Sequence, residues 1–239
     1  MIQKIRNYIL NKKASKEFEK HWQGLIAEAE NDSRAAIFEI GMLYENGVGV
    51  AKDFEQATAY YMRAAELGMV EAQRKIASWY EHGEHLERDL VKALMWYKKC
   101  SETNNFDDAM NFARLCANPE ISLEVTRDYL PRAIRILQDA LEIGDVDAMC
   151  YLGNLQQRGL VPNTTSEEGF QLLKMAAFKG QTEAQIFLGD ACLEGNGTVR
   201  DAREAVRWYE IALKNGNAVA KERIEQWQRL TESKQESKG

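Results

Sequence analysis

The sequence predicts an all-α fold in which pairs of helices stack side by side as a solenoid. Two observations support this prediction. A motif recurs along the chain at a spacing of 36 residues, and such a period is typical of helical repeat arrays. Only three prolines occur in 239 residues, so few positions interrupt a helix. Because one helix pair cannot bury its apolar face alone, we expect each repeat to stack on its neighbours.

The recurrence defines five repeats. Ten positions of the first repeat are matched by identical or similar residues 36 positions later: Ala36, Gly41, Tyr44, Gly47, Asp53, Ala57, Tyr60, Tyr61, Ala64 and Gly68. Six positions of a later repeat show the same shift: Ala148, Gly153, Gly159, Gly169, Ala176 and Gly180. We therefore predict repeats at 33–68, 69–104, 105–144, 145–180 and 181–216.

Each regular repeat contains signals for two helices. In the first repeat, apolar residues at three- and four-residue spacing predict a helix over 35–45. Gly47 suits the left-handed turn that ends it. Asp53 followed by Gln56 has the spacing of a capping box, so a second helix is expected from there to Gly68. The capping positions recur in the pairs Thr165–Glu168 and Asp201–Glu204.

The remaining segments depart from this pattern. We predict a basic lead-in helix at 1–20, a capping helix at 21–32, and a second capping helix within 217–239 that ends in a disordered tail after Leu230. The third repeat contains an insertion between its two helices. Such an insertion marks either a contact site or simple drift of one repeat, and the sequence leaves both interpretations open.

The repeat resembles the Sel1-like repeat, a relative of the tetratricopeptide repeat. The resemblance rests on these residues of the first repeat: Ala36, Ile40, Gly41, Tyr44, Gly47, Gly49, Val50, Asp53, Ala57, Tyr61, Ala64, Ala65 and Gly68. It implies a right-handed α-solenoid with capping half-repeats, which works as an adaptor or scaffold in protein complexes and is frequent in bacteria. It implies no particular ligand.

By analogy with the tetratricopeptide repeat, the first helix of each repeat lines a concave face that binds a partner. The analogy nominates Phe38, Met42, Glu45, Arg74, Ser78, Glu81, Asn111, Leu115, Cys150, Asn154, Gln157, Ile186, Asp190 and Leu193. Acids in or beside this set, such as Glu45, Glu81, Asp190 and Glu194, favour a basic or amphipathic segment of another protein. The alternative is an ordinary solvated surface.

Composition and charge argue against several other classes of function. The formal net charge of −6 and the pI near 5.3 argue against a nucleic-acid partner. Residues 1–20 carry a net charge of +4, so a membrane-surface tether is a less favoured alternative. No apolar stretch suits a secretory signal or a membrane span, and we expect a cytoplasmic protein.

No residue pattern indicates catalysis, and we predict no enzyme activity, cofactor or resident metal. His82 and His85 lie close together with acids nearby, but one exposed turn supplies all of these groups. Four cysteines without a recurrent spacing are interpreted as core residues: Cys100, Cys116, Cys150 and Cys192. A hydrolase directed at cell-wall or β-lactam substrates remains the alternative, since cysteine-rich members of the family have been linked to β-lactams.

Overall fold

The computed structural model describes residues 2–103 and 105–236, with side chains described for 16–103 and 105–229. The described residues form thirteen α-helices and no strand. The helices are α1 Ile2–Glu30, α2 Arg34–Asn46, α3 Phe54–Glu66, α4 Val70–His82, α5 Leu90–Cys100, α6 Phe106–Ala117, α7 Leu123–Thr126, α8 Leu130–Glu142, α9 Val146–Gln157, α10 Ser166–Phe178, α11 Thr182–Glu194, α12 Ala202–Lys214 and α13 Val219–Glu236. The predicted all-α class is confirmed.

The chain divides into two compact units, residues 1–112 and 113–239. In the first unit the consecutive helices from α1 to α5 contact one another in order. In the second unit the same order holds from α8 to α13, and α9 also contacts α11. Each unit is therefore a stack of helix pairs, as the repeat pattern predicts.

The predicted caps fix the helix ends. The Asp53 carboxylate accepts hydrogen bonds from the backbone N–H groups of Glu55 and Gln56 at 2.9 and 3.0 Å, which begins α3. At α10, Thr165 and Glu168 form a complete capping box. These bonds satisfy donors that have no partner inside the helix. Gly47 ends α2 with a φ of 68°, a left-handed conformation that favours glycine.

Small residues let the two helices of a repeat approach closely. A Cβ added to Gly41 would lie 2.9 Å from ring carbons of Tyr61, and one added to Gly189 would lie 2.5 Å from the ring of Tyr209. Both tyrosine side chains are fully buried. The glycine of the first helix thus makes room for the aromatic ring of the second helix in the same repeat.

The third repeat is irregular, as expected from its insertion. The inserted segment contains the short helix α7 between α6 and α8. Ile121 and Thr126 in this segment are 2% and 1% exposed. The insertion is therefore anchored in the second unit by buried side chains rather than by turns alone.

The two ends of the chain differ from the predicted division. The lead-in helix and the capping helix are one continuous helix, α1, because no proline or capping residue interrupts it near residue 20. At the other end α13 continues to Glu236, so residues 231–236 are helical rather than disordered. Residues 237–239 of the predicted tail, and the side chains of 1–15, lie outside the described residues. No helix in the described ranges is long and apolar enough to cross a membrane.

Candidate functional site

The predicted binding residues fall into two groups in the structure. Partly exposed side chains, which we call the first-helix row, are Phe38, Met42, Glu45, Arg74, Ser78, Glu81, Asn111, Gln157, Asp190 and Leu193. Four others are buried: Leu115, Cys150, Asn154 and Ile186. The row lies on α2, α4 and α6 and, in the second unit, on α9 and α11.

Three of the buried residues correct the sequence-based assignment. Leu115 and Cys150 are 0% exposed and Ile186 is 4% exposed, so their side chains belong to the core and present no surface to a partner. The physical reason is clearest in α9, where every residue from 148 to 156 is buried. A helix covered on all sides has no face that spacing alone could assign to a ligand.

In the first unit one of the two acids of the first-helix row, Glu45, is paired with side chains of the chain itself. The Tyr61 hydroxyl donates to the Glu45 carboxylate at 2.6 Å, and the Lys75 ammonium lies 2.8 Å from the same oxygen. Burial alone raises the pKa of Glu45, but the bonds to Lys75 and Tyr61 outweigh it and the pKa falls below its ordinary value. Glu45 is therefore a paired carboxylate.

A second trio of the same kind occurs at the end of the second unit. Tyr209 donates to Asp190 at 2.7 Å, and Arg223 of α13 lies 3.1 Å from that carboxylate. Here burial outweighs both partners and raises the pKa of Asp190. Two of the four acids that favoured a basic partner are thus already balanced by cations of the chain itself.

Between α9 and α11 the chain has different residues at the positions of the Glu45 trio. The positions that correspond to Glu45, Tyr61 and Lys75, 112 residues later, are Gln157, Leu173 and Phe187. A cavity of about 310 Å³ lies there, which we call the α9–α11 cavity. Its lining includes Asn154, Gln157, Arg158, Leu173, Phe187, Asp190, Glu194 and Arg223. Aligning the repeats at these three positions is the sequence signal that could have located it.

The α9–α11 cavity is lined by a buried amide that lacks a hydrogen bond at its oxygen and by two charged side chains that form no ion pair with a described residue. Asn154 is 8% exposed, and its Oδ1 atom accepts no hydrogen bond. Arg158 donates from Nη1 to the Ala117 carbonyl at 3.0 Å, and no described carboxylate pairs with it. Burial lowers the pKa of the Arg158 guanidinium. The exposed Glu194 likewise forms no ion pair with a described residue.

The histidines of the first unit are engaged in local contacts. His85 stacks on Phe54 at 4.2 Å between ring centroids and meets Trp79 edge-on at 4.7 Å. His82 lies 3.0 Å from the Ser78 carbonyl through Nδ1. Within the described residues, no group of three or more histidine, cysteine or acidic side chains could hold a metal ion.

The cysteines are core residues, as predicted from their spacing. All four thiols are free and buried. Burial raises the pKa of Cys100 and of Cys116 to about 12 and that of Cys192 to about 11, and it also raises the pKa of Cys150. At neutral pH these groups are thiols, which are poor nucleophiles.

Comparison with known sequences identifies the repeat. A protein-family model described as Sel1 repeat matches residues 34–69, 70–102, 146–180 and 182–217, which is more than half of the chain. These matches coincide with four of the five predicted repeats, and the irregular 105–144 segment is not matched. The chain is also 31% identical over 93 residues to mouse DAP3-binding cell death enhancer 1, and 29% identical to the rat protein of that name. In both cases the match covers 39% of this chain and 18% of the relative.

Two solved structures share the fold. A Sel1 repeat protein from Oxalobacter formigenes is 33% identical, with a TM-score of 0.53, over 79% of this chain and 73% of that one. A protective antigen of uropathogenic Escherichia coli is 21% identical, with a TM-score of 0.54, over 83% of this chain and 42% of that one. The second likeness concerns the fold alone.

Proposed function

Because this chain belongs to the Sel1 repeat family, we propose that it is a non-enzymatic module that binds another protein. Members of this family are generally protein-interaction modules. The mouse relative is named for binding a protein, which supports a protein as the partner here as well. In this proposal the chain acts as an adaptor, scaffold or regulatory binding protein.

One observation carries the proposal: in the second unit, residues of the first-helix row line a cavity that is also lined by an asparagine whose buried side-chain oxygen has no hydrogen bond. In the second unit, Gln157 and Asp190 of the row line the α9–α11 cavity beside the buried Asn154. A buried amide oxygen without a hydrogen bond reduces stability, so its presence in a natural chain calls for an explanation. Contact with a partner would supply one, which supports a binding surface that includes α9 and α11.

The state of the nucleophilic side chains supports a non-catalytic role. Each cysteine thiol is buried and has a raised pKa. The polar side chains that line the cavity include amides, guanidinium groups and carboxylates, which suit recognition through hydrogen bonds. We therefore favour binding over hydrolysis.

The proposal is tested by affinity capture from the native lysate, read by mass spectrometry, with one substitution in each unit. Met42 is 38% exposed on α2, and Leu193 is partly exposed on α11. We expect Met42→Arg or Leu193→Arg to release a stoichiometric partner, because a cation in the row disrupts close apolar contact without entering the core.

Val199→Arg is the matched control, since Val199 is 85% exposed in the turn between α11 and α12, outside the first-helix row. This variant is expected to retain the partner. A partner that all three variants hold equally well would place the binding surface elsewhere. Capture of no partner by the unmodified chain would contradict the proposed function itself.

A further inference from the structure

We propose that the α9–α11 cavity binds an extended, uncharged peptide segment of the partner and seats one apolar side chain of that segment. The inference rests on the proposed function and specifies the chemistry of its ligand. Three properties of the cavity support it. One buried acceptor lacks a hydrogen-bond donor, one guanidinium lacks a paired carboxylate, and the lining has as many acidic as basic side chains.

The acceptor is Asn154. Its side chain is more than nine-tenths buried and lines the cavity, and Oδ1 has no hydrogen-bond partner. A donor on a bound ligand supplies the hydrogen bond that this buried acceptor lacks. The ligand therefore carries an N–H or O–H group at this point.

The donor is Arg158. The guanidinium uses Nη1 to bond the Ala117 carbonyl, which leaves further N–H groups for a ligand. Because no described carboxylate pairs with Arg158, these groups can donate to a neutral carbonyl. A peptide unit offers both complements at once, an N–H for Asn154 and a C=O for Arg158.

The charge of the lining argues against a charged ligand. Two acids, Asp190 and Glu194, are matched by two cations, Arg158 and Arg223, and the pair Asp190–Arg223 is already closed at 3.1 Å. A basic or acidic side chain that entered this cavity would meet one charge of the same sign for every charge of the opposite sign. A neutral segment avoids the cost of burying an unbalanced charge.

The apolar part of the lining supplies the seat for a side chain. Leu173 and Phe187 stand where the first repeat has Tyr61 and Lys75, so the polar trio of that repeat is absent here. The volume of about 310 Å³ lies at the small end of the range for ligand cavities. It suits one apolar side chain with its adjacent peptide units.

The test uses a displayed library of short random peptides that are held by fixed sequence at both ends, selected on the full chain. We expect the enriched peptides to share an apolar residue flanked by uncharged residues. Replacing Asn154 by leucine should weaken the binding of such a peptide at least about tenfold, because a peptide N–H is then buried without an acceptor. The melting temperature of Asn154→Leu should equal or exceed that of the unmodified chain.

Gln156→Leu is the matched control. Gln156 lies on the same helix, is 9% exposed and has an unpartnered Oε1, but it does not line the cavity. We expect this variant to change stability in the same direction and to leave peptide affinity unchanged. Equal loss in both variants would indicate a general effect on α9 and would contradict the inference.

The remaining outcomes of the peptide selection also test the inference. Enriched peptides that require a lysine, an arginine or an acid would overturn the uncharged ligand. Enriched peptides that Asn154→Leu binds as well as the unmodified chain would show peptide binding elsewhere, which preserves the proposed function and rejects the cavity. No enrichment at all rejects this inference, whereas lysate capture decides the proposed function separately.

Discussion

At the scale of single residues, function in this chain depends on which polar groups are already satisfied. Glu45 and Asp190 were nominated as acids for a basic partner, yet each accepts a hydrogen bond from a tyrosine. Each also lies beside a cation of the same chain, Lys75 for Glu45 and Arg223 for Asp190. Asn154 was nominated among the concave-face residues without any special role, yet its buried oxygen is unpartnered. A count of acidic residues therefore describes this surface less well than their pairing does.

Gly189 provides the residue-scale prediction. A methyl group added at this position would meet the Tyr209 ring at 2.5 Å, and the ring is fully buried. We expect Gly189→Ala to reduce the free energy of unfolding by about 1–3 kcal/mol through overcrowding of the core. Denaturant titration of the purified chain measures the change.

Gly24→Ala is the matched substitution, because Gly24 lies inside α1 and nothing lies within 4 Å of an added Cβ. There the helix preference of alanine should raise the free energy of unfolding by roughly 0.5–1 kcal/mol. Two variants that change stability in the same direction would contradict the close approach at Tyr209.

At the scale of elements, the helices are fixed by local signals that the sequence displays. The capping residues Asp53, Asp89 and Asp201 each accept from two backbone N–H groups at the start of α3, α5 and α12. Such bonds lie within three residues along the chain, so a sequence pattern is sufficient to predict them. The insertion in the third repeat lacked such a pattern, and α7 was not anticipated.

Asp53 provides the element-scale prediction. Replacing it with alanine removes the bonds at 2.9 and 3.0 Å that begin α3. We expect Asp53→Ala to lower the free energy of unfolding by about 1 kcal/mol while the denaturant slope stays constant. Ser122→Ala is the control, because Ser122 precedes α7 without a side-chain capping bond and its loss should change stability little.

At the scale of the whole molecule, stability is expected to be distributed along the helix pairs. Each helix contacts mainly its neighbours in sequence within a unit. Arrays of this kind approximate a sum of repeat stabilities and nearest-neighbour interfaces. A substitution that destabilises one repeat should therefore destabilise the adjacent repeats more than distant ones.

Ile76 and Leu188 test this expectation, one in each unit and both 1% exposed or less. Truncation of a buried aliphatic side chain to alanine costs about 2–5 kcal/mol. With Ile76→Ala, amide hydrogen exchange should accelerate more in α2–α5 than in α9–α12, and with Leu188→Ala the order should reverse. Equal acceleration in all helices for both variants would indicate a single cooperative core instead.

The sequence by itself determined the helix-pair repeat, its period, its caps and its family, because these depend on residues a few positions apart. It did not determine the surface. Lys75 reaches Glu45 and Arg223 reaches Asp190 across more than 25 residues, and α9 is enclosed by its neighbours. Such contacts exist only after helices stack, since stacking decides which side chains meet and which lose water. The core positions of Leu115, Cys150 and Ile186, and the cavity beside Asn154, were therefore decided by the tertiary structure.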